Sequence, residues 1–162
     1  MLWFDRRIFL ISLAALVGCG FTPAYSPDGA ANVLTGAVAP DAPATRDDFA
    51  FVRRLAERFG PVQSARFRLT YEISTAAAGQ AITPDNVTTR FSLTGSARYR
   101  LLDAAGGAEL LAGEVDNFTS WSASGSTVAT LAAETDAHER LMRLMADQIA
   151  TRLLAAAGTL PQ

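Results

Sequence analysis

Ala65-Arg66-Phe67-Arg68-Leu69-Thr70-Tyr71-Glu72-Ile73 alternates apolar and polar residues without a break. Thr89-Arg90-Phe91-Ser92-Leu93-Thr94-Gly95-Ser96-Ala97-Arg98-Tyr99-Arg100-Leu101 does the same over a longer run. Side chains of a strand point to opposite faces with a period of two, so each stretch reads as a half-buried strand: one face meets a core and the other meets water. The first strand is expected over residues 65–75. The second is long for a globular strand, and Gly95 within it is expected to mark a bend or bulge. Residues 77–86, with Gly79, Pro84 and Asp85, read as the tip of the hairpin between them, and Asp103 to Gly107 as the next turn. A further strand follows from Glu109 to about Ser122, with Leu111, Val115, Phe118 and Trp121 as its apolar residues.

Helical patterns flank these strands. Thr45 with Asp48 three residues on resembles a capping box, and Phe49, Val52, Leu55, Ala56 and Phe59 follow at helical spacing until Gly60-Pro61 stops the helix. Arg53, Arg54, Glu57 and Arg58 make its outer face. After the polar entry Ser124 to Thr127, no Gly or Pro intervenes until about Ala157. Leu131, Ala137, Leu141, Leu144, Met145, Ile149 and Leu153 form the expected apolar stripe, closed by Gly158. Ahead of the first helix, Ala31 to Ala39 reads as a weak strand that Pro40 ends. The element order is therefore strand, helix, three strands, helix. Three consecutive strands with one polar face each leave only the other face for helices to cover, which makes a two-layer α+β sandwich. The uncovered face is polar and rich in arginine.

The amino terminus has a different character. Arg6 and Arg7 precede the apolar run Ile8 to Val17, which is shorter than the roughly 20 residues a bilayer-spanning helix needs. Leu16-Val17-Gly18-Cys19 then matches the cleavage pattern of a bacterial lipoprotein, so residues 1–18 are expected to be removed and Cys19 to carry covalent lipid that anchors the chain at a membrane surface. Gly20 in place of Asp points to outer-membrane sorting. Asp5-Arg6-Arg7-Ile8-Phe9-Leu10 is a partial twin-arginine pattern, and ordinary secretion is the preferred route beside that alternative. Residues 19–31 serve as lipidated terminus and tether, 32–158 as a single domain and 159–162 as a tail.

Composition narrows the function. With residues 1–18 gone, Asp5, Arg6 and Arg7 leave too, so 12 arginines face 15 carboxylates and no basic field of the kind that holds nucleic acid remains. Cys19 is the single cysteine, so no disulfide staples the fold. His138 is the single histidine, among Asp136, Glu139 and Arg140, and reads as a solvated surface residue without a second metal ligand or a nucleophile beside it. Asp85, Asp103, Glu114 and Asp116 sit near turns and strand ends as turn formers, and Gly106-Gly107 opens no helix that would cradle a phosphate. The pattern names no catalytic residue, metal site or cofactor. What stands out is Arg66, Arg68, Arg90, Arg98 and Arg100 on the polar sheet face. They are either a solvated face with cross-strand ion pairs to Glu72 or Glu114, or a docking surface for an anionic lipid phosphate.

The stretches Cys19-Gly20-Phe21-Thr22-Pro23-Ala24-Tyr25, Asp85-Asn86-Val87-Thr88-Thr89-Arg90, Ala129-Thr130-Leu131-Ala132-Ala133-Glu134, Asp136-Ala137 and Ala146-Asp147-Gln148-Ile149, in that order, resemble a divergent branch of the LptE family of lipopolysaccharide-assembly lipoproteins. The resemblance implies two helices on one face of a four-stranded mixed sheet. It also implies a noncatalytic lipoprotein held by Cys19 on the periplasmic side of the outer membrane, plugging the LptD β-barrel and assisting barrel assembly and lipopolysaccharide transport to the cell surface. Arg90 lies in a matching segment as a candidate lipopolysaccharide contact; Arg98, Arg100, Arg66 and Arg68 join it by their place on the sheet. The alternative is a freestanding periplasmic lipid carrier, which would need an apolar cavity.

Overall fold

The computed structural model describes residues 30–82, 87–123 and 126–161. The expected signal peptide, Cys19 and the tether as far as residue 29 lie outside them. After a 3-10 turn at Ala30–Val33 come β1 (Val38–Pro40), α1 (Arg46–Phe59), β2 (Phe67–Ile82), β3 (Thr88–Asp103), β4 (Glu109–Ser122) and α2 (Thr127–Ala156), followed by a 3-10 turn at Ala157–Thr159. The order is the expected one. The strands lie side by side as β1-β2-β3-β4, with β1 parallel to β2 and the others antiparallel, so the sheet is mixed. Phe67, Leu69, Leu93, Ala97, Tyr99, Leu101, Val115 and Trp121 form the sheet's side of a core that the two helices complete.

The capping box forms as the sequence predicts: the Asp48 backbone N–H donates to Thr45 Oγ1 at 3.1 Å, and the Thr45 N–H donates to Asp48 Oδ2 at 2.9 Å. Gly60, at φ 79, ends α1 with its N–H on the Ala56 carbonyl. The buried face differs from the expected one. Phe51, Leu55 and Phe59, four residues apart, point inward with Ala50, whereas Phe49 is 61% exposed. The register is set by Phe51, whose ring meets Tyr71 of β2 at 5.0 Å between centroids. The apolar residues of α1 outnumber the positions the core can take, and packing against the sheet and the other helix selects among them.

The same holds for α2. Ala137, Leu141, Met145, Ile149 and Leu153 are buried as expected, joined by Met142, Ala146 and Ala150, while Leu131 and Leu144 are exposed. This helix touches both the sheet and α1, so its buried arc is wider than one stripe and uses alanines for close approach. The two helices run in the same direction, with His138 beside Asp47 and Asp147 beside Arg54, so the first turns of α2 run past the start of α1. The helices are tied at the surface by Arg54, whose Nε and Nη2 each lie 3.0 Å from one oxygen of Asp147, a forked geometry suited to a carboxylate.

Four strand expectations are corrected. Residues 31–37 are wound in turns and the first strand is only Val38–Pro40, with Pro40 inside it. β1 is an edge strand, where a missing N–H on the outward side costs no ladder bond, and the Asp41 N–H resumes the pairing on the Leu69 carbonyl at 2.9 Å. β2 continues through the Ala-rich residues read as hairpin tip, paired with β3 as far as Ile82↔Thr88. Gly95 marks no bulge: Thr75, Gly95 and Asn117 pair in regular register, and the irregularities fall between Gly79 and Ile82 and at Leu101/Leu102. Gly95 is needed because Leu141 and Met145 of α2 press on its backbone. Phe118 points to the uncovered face and is 70% exposed, since its partners along β4, Val115 and Trp121, have the opposite parity.

Candidate functional site

The uncovered face of the sheet carries the arginines. On it the register sets Glu72, Arg98 and Glu114 abreast on three strands, and Arg98 lies 4.0 Å from the first carboxylate and 3.4 Å from the second. Glu114 also accepts a hydrogen bond from the Ser96 hydroxyl at 2.6 Å; that bond first, and Arg98 after it, hold its carboxyl below the usual carboxylate range. Arg100 reaches Glu109 at 3.6 Å, and Arg68, on the diagonal from Arg100, reaches Asp41 at 2.7 Å. A shallow hollow of about 570 Å³ runs between Thr70, Glu72, Arg98, Arg100 and Glu114.

Two of the five arginines stand apart. Arg66 precedes β2, donates from Nη2 to the Pro161 carbonyl at 2.8 Å and stacks 5.4 Å over the Phe67 ring, so it holds the carboxyl-terminal segment in place. Arg90 is exposed, eight residues up β3 from Arg98, which at about 3.4 Å per residue is roughly 27 Å away. No carboxylate of the described residues pairs with it. Arg68, Arg98 and Arg100 therefore form one patch, interleaved with carboxylates. An anion binding there would exchange with exposed ion pairs, each worth about 0–1 kcal/mol, so little stands against the exchange.

On the other side of the sheet lies a groove of about 820 Å³, open to solvent. Its floor is Tyr71, Ile73 and Thr75 of β2, one wall is Leu131, Glu134, Thr135 and His138 of α2, and its end is the start of α1 with the loop from Asp41. Five carboxylates line it, Asp41, Asp47, Asp48, Glu134 and Glu139, against Arg46 and His138, while Glu72 borders it from the strand with its carboxylate on the opposite face beside Arg98. His138 is not the solvated residue expected: it is partly buried, with Nδ1 2.9 Å from Asp47 Oδ2, and bridges the two helices. Burial, then the charges of Asp48 and Asp41, push the Tyr71 phenol up to about 12. Among the described residues no three His, Cys, Asp or Glu side chains converge as a metal-binding group.

Residues 33–153 match the family model LptE, Lipopolysaccharide-assembly, which is well over half of the chain. The chain belongs to the LptE family. Solved structures share the LptE fold seen here. A Caulobacter crescentus protein described as a candidate lipoprotein aligns at 26% identity and TM-score 0.68, over 82% of this chain and 98% of its own. Rare lipoprotein B of Shewanella oneidensis aligns at 12% identity and TM-score 0.56, over 76% and 96%. A minor lipoprotein of Acinetobacter baumannii aligns at 14% and 0.53, over 77% and 92%. At the lower identities the likeness is one of fold alone. No curated protein matches the sequence.

Within this LptE-family chain, sequence reasoning reached the arginine patch and missed the groove. The alternation of β3 places Arg98 and Arg100 on one face, which is visible without coordinates. The groove needs α2 to overrun α1, and no local pattern reports where one helix ends beside another. The one available signal was the crowding of acids around Thr45 and His138, which reads equally well as two solvated helix starts.

Proposed function

We propose that this LptE-family chain is a noncatalytic lipoprotein, anchored through lipid on Cys19 at the periplasmic side of the outer membrane, that plugs an LptD-type β-barrel and assists its assembly and the passage of lipopolysaccharide. The family match over residues 33–153 carries the reading. The sheet supports it, because one whole face is left uncovered by helices and offers hydroxyls, arginines and the exposed Phe118 to a surrounding wall. Among the described residues no helix is long and apolar enough to cross a membrane, and the proposed attachment is the lipid alone.

Lipopolysaccharide phosphates would meet Arg98 and Arg100, with Arg68 beside them. The guanidinium forks there already hold carboxylates and would exchange them for phosphate. The deciding experiment is copurification from outer membranes. Recovery of a barrel of LptD size with the tagged full-length chain supports the proposal, and repeated recovery of the chain alone refutes it. Lipopolysaccharide binding is tested separately by Arg98→Ala with Arg100→Ala, which is expected to weaken it while leaving the unfolding temperature nearly unchanged; unchanged binding removes the patch from the reading. A freestanding lipid carrier is less well supported, since the hollow between the helices and β2 is open and lined by carboxylates that disfavour acyl chains.

A further inference from the structure

The edge of β2 has a strand neighbour only at Phe67–Leu69, where β1 pairs with it. Beyond that, among the described residues, no strand covers the edge over the remaining residues to Ile82. The Leu69 carbonyl faces this edge, because it accepts the Asp41 N–H. In an antiparallel pair the outward backbone groups recur every second residue, so the N–H and C=O of Tyr71, Ile73, Thr75 and Ala77 face the same way. Natural edges are usually protected by charge, proline or shortness. Here Ile73-Ser74-Thr75-Ala76-Ala77-Ala78-Gly79-Gln80-Ala81-Ile82 carries neither charge nor proline, and both faces of Ser74 to Ile82 are exposed.

The acidic groove lies alongside the first part of this edge, since Tyr71, Ile73 and Thr75 are its floor. A strand added at the edge would turn alternate side chains into the groove, toward Glu134, Glu139 and Asp47. Glu134 has no cation in ion-pair reach among the described residues. A second copy of this chain does not suit the place, because its own β2 offers no basic residue between Arg68 and Arg90. We propose that an extended segment of a partner polypeptide, with basic side chains at alternate positions, adds to the edge of β2 as a fifth strand and lays its basic face in the groove. In the context of the barrel partnership proposed above, on which the identity of the partner rests, that segment belongs to the barrel protein.

The test uses the full-length chain in detergent and two octapeptide probes of equal composition. One alternates Arg with Thr, and the other has four Arg followed by four Thr. The alternating probe is expected to bind at least tenfold tighter and to slow amide exchange at Tyr71, Ile73, Thr75 and Ala77. Thr75→Pro removes an edge N–H that the β3 ladder does not use, and is expected to weaken binding at least fivefold; Glu134→Gln, which leaves the backbone untouched, is expected to weaken it about threefold. Equal affinity for the two probes, or binding unaffected by either substitution, overturns the proposal. Copurification separates the two claims: wild-type barrel recovery with Thr75→Pro overturns the edge and leaves the partnership standing, whereas failure of the unaltered chain to recover a barrel overturns the partnership, and the peptide titration still decides the edge.

Discussion

Valine at position 95 forces a collision that the structure locates to a few atoms. A Cβ there would lie 2.8 Å from Leu141 Cδ2 and 3.3 Å from both Leu141 Cγ and Met145 Cε. Comfortable carbon contacts are about 3.5–4.0 Å, and valine adds two further methyls to the crowd. Leu141 and Met145 are fully buried, so neither can turn out to solvent. Overpacking of this kind costs about 1–3 kcal/mol, and the reduced freedom of the unfolded chain when Gly is replaced offsets about 0.5–1 kcal/mol of it. Central values of about 2 and about 0.75 kcal/mol leave an expected net loss of about 1 kcal/mol, which for a chain of this size lowers the unfolding temperature by about 2–4 °C. Circular dichroism on heating reads the shift. Leu141→Ala alone is expected to cost about 2–5 kcal/mol through its cavity. With Gly95→Val the two should be less than additive by at least about 1 kcal/mol, because the new methyls enter the space that Leu141 leaves. An unchanged midpoint for Gly95→Val, or additivity within about 0.5 kcal/mol in the double variant, refutes the close approach of α2 to β3.

Thr45→Ala removes the side-chain half of the α1 capping box and is expected to cost about 1 kcal/mol, seen as a lower denaturant midpoint with an unchanged slope. Thr119→Val deletes the buried hydroxyl that donates to the Ala137 carbonyl at 3.1 Å; a loss of about 1 kcal/mol should appear in the same denaturant titration, and a neutral result counts against that sheet-to-helix bond. Tyr71 is raised from the ordinary 10.0 to about 12 in the folded chain, so the native state holds its proton longer than the unfolded state. Its contribution is complete below pH 10 and is lost as pH climbs toward 12; Tyr71→Phe should flatten that part of the stability profile, and an equally steep profile in the variant removes the explanation.

The alternation from Phe67 to Ile73 and from Thr89 to Leu101, the Thr45–Asp48 capping box and the long Gly- and Pro-free run to Ala157 determine the element order and the two-layer architecture by themselves. They can do so because each is a local property: a period of two, a cap, or the absence of a breaker acts within a few residues. The place of Arg98 and Arg100 on the uncovered face follows from the same parity, and so was legible in advance.

Choices between equivalent local readings had to wait for tertiary contacts. Phe49 and Phe51 are equally apolar, and packing puts Phe51, in line with Leu55 and Phe59 and against the Tyr71 ring, in the core. Residues 77–82 have turn-like, weakly strand-forming chemistry, and pairing with β3 makes them strand nonetheless. Gly95 fits a bulge as well as a close approach until α2 is laid over it. Arg66 and Arg90 share the parity of Arg98 but not its neighbourhood, because distance along a strand and the position of the carboxyl terminus have no sequence period. The acidic groove exists for the same reason: α2 outruns α1 over an unpaired edge. Periodicity assigns a side chain to a face, but which parts of a face are covered depends on where other elements end, and those ends are decided by packing between residues distant in sequence.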